Sequence, residues 1–253
     1  MPTQQHLQEI AENLDKWKIG LDDVFKFKCH GCGKCCKNRE DIILTSRDLF
    51  NVAKCLDIST KDVIKTYCDL YIGGNSRMPI VRLIPRGQNK ACPLLKDNRC
   101  SVHRAKPGVC ALFPLGRIIA MPQDKEVDES TELEVGYIIN PIECGGHRNN
   151  TVRSWLEAFG IDTDDQVYKL WTKTTFRLTT FIKRLEESKV RIPAAAFSAI
   201  WTVAAEMLYI RYDTEKEFFP QFKANTNEVW RILGKMDSEL LQPFMEGVLS
   251  DAI

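Results

Sequence analysis

The spacing of apolar and polar residues changes character near residue 148. Upstream, apolar runs are short, alternate with polar residues and are broken by turn formers; from Thr151 onward they recur at helical spacing. Phe25 and Phe27 alternate with lysines and predict a short extended segment. Ile42, Ile43 and Leu44 predict a strand. Thr45 with Asp48 has the spacing of a capping box and predicts a helix through about Cys55, and Ser59 with Asp62 predicts another through about Leu70. Met78 to Pro85, Arg117 to Met121 and Tyr137 to Asn140 are strand candidates. Asp97-Asn98 reads as a turn that lets Cys92 and Cys100 approach across a small hairpin, and Cys144-Gly145-Gly146-His147 reads as a tight loop.

Downstream, Trp155, Leu156 and Phe159 share a helical face that stops at Gly160. Val167, Leu170, Trp171, Thr174, Leu178, Phe181, Ile182 and Leu185 form a stripe near period 3.6. The apolar run Ala194 to Ile210 is as long as the shortest membrane spans, but Ser198, Thr202 and Glu206 interrupt it. It predicts a central buried helix, followed by two shorter helices starting near Thr226 and Asp237. Trp155, Trp171 and Trp201 are expected in the helical core. The fold class is therefore α+β: a small cysteine-rich metal-binding α+β part, residues 1–148, followed by an all-α helical part, residues 149–253.

At 29.0 kDa and 44% hydrophobic residues, the chain can bury an ordinary core without covalent staples. The 35 basic and 34 acidic residues leave a net charge of +1, which points to neither a nucleic-acid nor a membrane partner. The N-terminal segment lacks a basic region followed by an apolar one, so a cytoplasmic location is expected. In a reducing compartment, grouped thiols serve as ligands or redox groups rather than disulfides.

All ten cysteines lie at or before Cys144, and four of them, Cys29, Cys32, Cys35 and Cys36, fall in the run CHGCGKCC. With Cys92, Cys100, Cys110 and Cys144 they make eight, the number required by two four-thiolate centres. A C-x-x-C-x-x-C loop wraps three thiolates around an iron–sulfur cluster that a remote Cys-Pro completes. Here Cys29, Cys32 and Cys35 supply the triad and Cys92-Pro93 the remote ligand, leaving Cys36 to a second centre with three of the other thiols. The cofactor expected is an iron–sulfur cluster of the 4Fe-4S type, two of them if both centres fill. Zinc is the alternative, because a tetrahedral site takes four thiolates from knuckles such as Cys29-x-x-Cys32. His30, His103 and His147 adjoin cysteines and read as outer donors or surface residues. Cys55 and Cys68 sit at apolar-face spacing on predicted helices and read as core.

The run CHGCGKCC, then LTSRDL, ACPLL, RCSVHRAKPGVCALFP and Cys144 with its double glycine, resembles the YkgJ-type CxxCxxCC cysteine-cluster family, described as zinc- or iron-chelating. The resemblance spans about residues 25–148 and implies that Cys29, Cys32, Cys35, Cys36, Cys92, Cys100, Cys110 and Cys144 are metal ligands. Lys106 and Ala111 depart from arginines often found in the family's R-P-x-x-C-R-x-F-P stretch. Some relatives are labelled flagellin lysine N-methylases or iron–sulfur oxidoreductases. Three functions are thereby on the table: an iron–sulfur protein with a redox or protein-modifying role, a zinc-stabilised binding module, and a methyltransferase. The first and third imply a protein substrate or redox partner.

Several classes lose support. There is no C-x-x-x-C-x-x-C radical triad, no G-x-x-x-x-G-K-[ST] phosphate loop, and no G-x-G-x-x-G after a predicted strand. Cys29-His-Gly-Cys32 as a dithiol redox pair lacks the expected βαβ setting. Lys169, Lys173, Arg177 and Arg184 recur along one helical side, which reads as a solvated face. A substrate pocket is expected, if anywhere, where the helical core meets the cysteine loop.

Overall fold

The computed structural model describes residues 13–37, 39–40, 42–121, 127–128, 130–140, 145–188 and 192–238, so Cys144 lies outside the described residues. The fold is α+β. Two compact units interleave along the chain, residues 1–44 with 82–169 and residues 45–81 with 170–253, a partition that crosses the compositional boundary near residue 148.

The first unit is built on small antiparallel sheets. Strand β1 (Lys18–Ile19) pairs with β9 (Val135–Ile139), which pairs in turn with β8 (Leu115–Ile119). Strand β2 (Val24–Lys28) pairs with β10 (Gly146–Thr151), and β6 (Leu95–Lys96) with β7 (Arg99–Cys100). Along β2 the alternation forecast from Phe25 and Phe27 holds: both are buried, and the lysines between and after them are exposed. Their rings join Leu112, Leu115, Tyr137, Val152 and Leu156 in one core. The segment Gly146-His147 belongs to β10 rather than to a loop, because the backbone of β2 takes it as a partner, Gly146 opposite Lys28, although the run GHRNNT has no β-forming residue but Thr151. Short strand β3 (Ile43–Leu44) closes this part of the unit, where the Leu83 N–H donates to the Ile42 carbonyl.

A short helix, Gly108–Leu112, carries Cys110, and the helix Val152–Ala158 follows Thr151, whose side chain and that of Ser154 cap each other's backbone. Trp155 projects from this helix into the first unit, packing edge-on against Phe25 and Phe27 and donating to the Ala111 and Leu112 carbonyls. It is not part of the helical core expected for it. The apolar face reaches the β2 side because the helix starts at the end of β10.

In the second unit, helices α1 (Ser46–Leu56) and α2 (Thr60–Tyr67) begin where the sequence places them. Thr45 and Asp48 form the full capping box, and Ser59 accepts from the Asp62 N–H. Helix α2 stops at Tyr67, three residues short of the expected Leu70, because Cys68–Ile72 is strand β4. Strand β5 (Pro79–Leu83) follows, after a turn in which the Gly73 N–H reaches the Met78 carbonyl. Cys68 is buried as expected, but in a strand, whereas Cys55 is exposed on α1, away from its buried side, and is not core. The long helix Gln166–Glu186 buries Thr174, Leu178, Ile182 and Leu185, all on the forecast stripe. Ala194–Ala205 buries only Ile200 and Ala204; the most enclosed part of that run is a π turn, Glu206–Ile210, with Met207, Leu208 and Tyr209. The all-round burial expected of Ala194–Ala205 is therefore not met. One helix, Phe218–Met236, stands where a start near Thr226 was expected. Pro220 sits in its first turn, where a missing N–H breaks no bond. The second expected start, near Asp237, lies almost wholly outside the described residues. Trp171 packs on Tyr209 and Phe222 in the helical core, and Trp201 donates to the Arg77 carbonyl. Lys169 pairs with Asp164, Arg184 with Asp237, and Arg177 lies over Trp230, so these cations are engaged locally. Among the described residues no helix is long and apolar enough to cross a membrane.

Candidate metal centre

The cysteine loop leaves β2 after Lys28 and turns twice through glycines in the left-handed region, Gly31 at φ 66° and Gly33 at φ 69°. A 3-10 turn, Lys34–Cys36, follows, closed by the Cys36 N–H on the Gly33 carbonyl at 3.0 Å. These turns leave Cys29 and Cys32 exposed and Cys35 and Cys36 half-buried. The Gly31 N–H donates to the Cys29 sulfur at 3.4 Å.

The remote thiols are brought in by backbone contacts. The Cys92 N–H donates to the Cys36 carbonyl at 2.7 Å, which pins the Cys92-Pro93 segment beside the loop. Asp97 and Asn98, at φ 49° and 58°, make the two-residue turn between β6 and β7, and Leu95 pairs with Cys100. That hairpin is the one forecast, with Cys92 just before it and Cys100 within it. Cys110 stands in its short helix, its N–H on the Pro107 carbonyl.

A small cavity of about 20 Å³ is lined by four thiols, Cys35, Cys36, Cys92 and Cys110, together with Arg39 and apolar side chains. An adjoining space of about 50 Å³ adds Cys100. A larger cavity of about 520 Å³ is bordered by Cys29, Cys32, Cys35, Cys36, Cys100 and Cys110. The structure thus brings seven of the eight expected ligands onto neighbouring cavities. It does not put Cys92 on a cavity with Cys29 and Cys32, the grouping that spacing favoured; Cys92 keeps company with Cys36 because their backbones are bonded. No described cysteine is in a disulfide. They line these spaces without closing on a point: among the described residues no three His, Cys, Asp or Glu side chains are arranged to hold a metal ion.

The electrostatics show how closely the sulfurs influence one another. Cys35 and Cys36 stand 3.8 Å apart, sulfur to sulfur. A hydrogen bond from Cys36 brings the Cys35 thiol down to about 6, against burial, with help from Lys106 and Arg39. The same hydrogen bond, then burial, then the charges of Cys35, Cys92 and Cys110 push Cys36 up. Burial, followed by Cys100 and Cys35, raises Cys92. Such mutual repulsion among thiolates is what a bound cation relieves. Soft sulfur donors, with no carboxylate among the described residues of the walls, fit zinc or iron rather than calcium or magnesium.

His30 and His103 border the larger cavity, and the Lys106 cation, aided by burial, holds His103 below its ordinary value. His147 is exposed on β10 and borders none of these cavities. Sequence reasoning missed the aromatic part of the lining, Phe27, Phe113, Trp155 and Phe159. The apolar stripe through Trp155 and Phe159 was visible, but not its packing on Phe27.

A gathering of soft donors on a loop-built α+β unit marks a cysteine-cluster domain. Residues 28–133 match the model of the CxxCxxCC family, described as a "putative zinc- or iron-chelating domain". The match takes in seven of the eight cysteines and ends before Cys144. No curated protein and no solved structure matches the chain.

Proposed function

We propose that this protein holds zinc or iron in two thiolate centres, the first made by Cys35, Cys36, Cys92 and Cys110 and the second by Cys29, Cys32 and Cys100 with Cys144. The observation that carries the reading is the ion-sized cavity lined by four thiols. The spacing of one pair, Cys35 and Cys36, suits a single ion. A zinc–sulfur bond of about 2.3 Å gives a tetrahedral edge of about 3.8 Å, and Cys35 and Cys36 stand 3.8 Å apart. In a four-iron cluster each cysteine holds a different iron, so adjacent ligands do not need to be that close. The metal when bound supplies charge neutralisation and, for iron, electron exchange. The chain's own contribution is to hold Cys92 against Cys36 by a backbone hydrogen bond and to bury the four thiols halfway.

A second reading, an iron–sulfur cluster with a redox role, is favoured by the C-x-x-C-x-x-C spacing and by the larger cavity that Cys29, Cys32 and Cys35 share. The exposed Cys29 and Cys32 would set such a centre where a redox partner or protein substrate reaches it. No residue pattern favours a methyltransferase.

Anaerobic purification followed by metal and acid-labile sulfide analysis tests both. Metal without sulfide, reduced by half in Cys92→Ser, supports the single-ion centre. Iron with equal sulfide supports the cluster, and metal-free protein, or Cys92→Ser with full metal, refutes the assignment.

A further inference from the structure

The larger cavity is out of proportion to an ion. At about 520 Å³ it lies within the range of organic-ligand pockets, about 300–1,000 Å³, whereas a water's share of liquid is about 30 Å³. Part of its lining is aromatic. Phe27 packs edge-on against Phe113 and Trp155, each at 5.6 Å, and Trp155 against Phe159 at 5.5 Å, so four rings form one continuous surface. Phe27 is buried and the other three half-buried, and Trp155 is held in orientation by its indole N–H on the Ala111 and Leu112 carbonyls. A platform with fixed rings recognises a planar ring system by offset or edge contacts.

Thiols apart, the charged side chains of the cavity are cations. Arg99 and Lys106 line the cavity, and no carboxylate among the described residues does. Aromatic surfaces also attract cations, but here Lys106 already stands over Phe159, 5.7 Å from the ring centre, and would repel a second positive charge. Arg99, on the exposed strand of the hairpin, offers a fork suited to carboxylate or phosphate.

We propose that this cavity binds a small planar aromatic molecule bearing an anionic group, its ring on the Phe27–Trp155 surface and its anion toward Lys106 and Arg99. The site rests on the metal reading in that the thiols lining the cavity, from both centres, are taken up by metal; the ring lining and Arg99 are independent of it.

The probe is 1-naphthoate, titrated into the full-length, metal-loaded protein by isothermal calorimetry, with 1-naphthyl phosphate, 1-naphthalenemethanol and 1-naphthylmethylammonium as comparisons. Either anion binds at least tenfold more tightly than the ammonium; the stronger of the two tells a carboxylate from a phosphate ligand. Lys106→Gln and, separately, Arg99→Gln, the latter on an exposed side chain, weaken the anions about fivefold, the scale of a partly exposed ion pair, and leave the alcohol unchanged. Phe159→Leu weakens all four probes alike. Equal binding of anion and ammonium, tighter binding of the ammonium, or no binding by a protein with its metal in place overturns the inference. Metal content measured on the same sample separates the two proposals: metal-free protein that still selects naphthoate refutes the metal reading alone.

Discussion

The ion pair between Arg117 on β8 and Asp165 before the long helix is enclosed within the cysteine-bearing unit. The two groups meet at 2.8 Å with side chains only 4% and 2% exposed. Asp165 also accepts the Tyr168 N–H at 3.0 Å, and the Arg117 guanidinium lies 4.1 Å from the centre of the Tyr168 ring. Replacing Asp165 by Asn keeps the size and the capping acceptor but leaves a buried guanidinium without its counter-charge. Breaking one side of a buried pair costs about 3–5 kcal/mol. For a chain of this size each kcal/mol is worth about 2–4 °C, so Tm should fall by about 6–20 °C. Removing both charges in Asp165→Asn with Arg117→Met should recover most of that loss, since a buried pair contributes little beyond its own desolvation. Urea unfolding followed by tryptophan fluorescence measures all three variants. A loss under about 1 kcal/mol in Asp165→Asn, or a double variant as unstable as the single, refutes the view that this charge is enclosed. The site registers the same perturbation: β8 starts two residues after Phe113, a wall of the larger cavity, so metal retention should fall with stability.

Four further outcomes are expected. In metal-free protein, Cys35 should be alkylated by iodoacetamide with a midpoint near its lowered value of about 6: thiolate and reactive above it, protonated and slow below it, while Cys36 stays protonated well into the alkaline range; mass mapping across pH checks the order. Gly145→Ala should cost about 2 kcal/mol or more, measured by denaturation. Gly145 holds φ 94°, and an added Cβ would lie 2.5 Å from the Phe27 ring and 3.0 Å from the Lys28 carbonyl. Tyr209→Phe should cost about 1–2 kcal/mol, because the buried hydroxyl donates to the Pro79 carbonyl at 3.2 Å; a neutral result in urea would deny that bond. A chelator should strip the centre containing exposed Cys29 and Cys32 before the one containing half-buried Cys35, Cys36, Cys92 and Cys110, giving a fast and a slow phase of metal release in which Cys29→Ser removes only the fast one.

What was legible in the sequence was what neighbours in the chain decide. Thr45 with Asp48, Ser59 with Asp62, and Asp97-Asn98 each announce a cap or a turn because the hydrogen bonds or dihedrals involved span only two to four residues. The stripe from Thr174 to Leu185 was legible because a helix repeats its register. The gathering of the cysteines also followed from composition, since thiols in such numbers are seldom scattered fillers of a core. Cys55 and Cys68 mark where that reasoning stopped: both sit at plausible apolar positions, yet one is exposed and the other lies in a strand begun by the early end of α2.

Which thiol faces which cavity was not legible, because long-range backbone bonds decide it. Spacing joins Cys92 to the Cys29, Cys32, Cys35 triad, on the analogy of loops in which a remote Cys-Pro completes a cluster. The fold joins it to Cys36, since the Cys92 N–H finds the Cys36 carbonyl at 2.7 Å, a contact over 56 residues that no local pattern encodes. Trp155 follows the same rule. Its helical spacing was plain, but its neighbours were set by Thr151 ending a strand paired with β2, and that pairing brings the indole to Phe27 and hence to the cavity wall. The cysteines that line these cavities were therefore visible in the sequence, and which of them share a cavity was not. A double-mutant cycle between Cys36→Ser and Cys92→Ser, read as metal affinity, is strongly non-additive if the two serve one centre and additive if spacing was right.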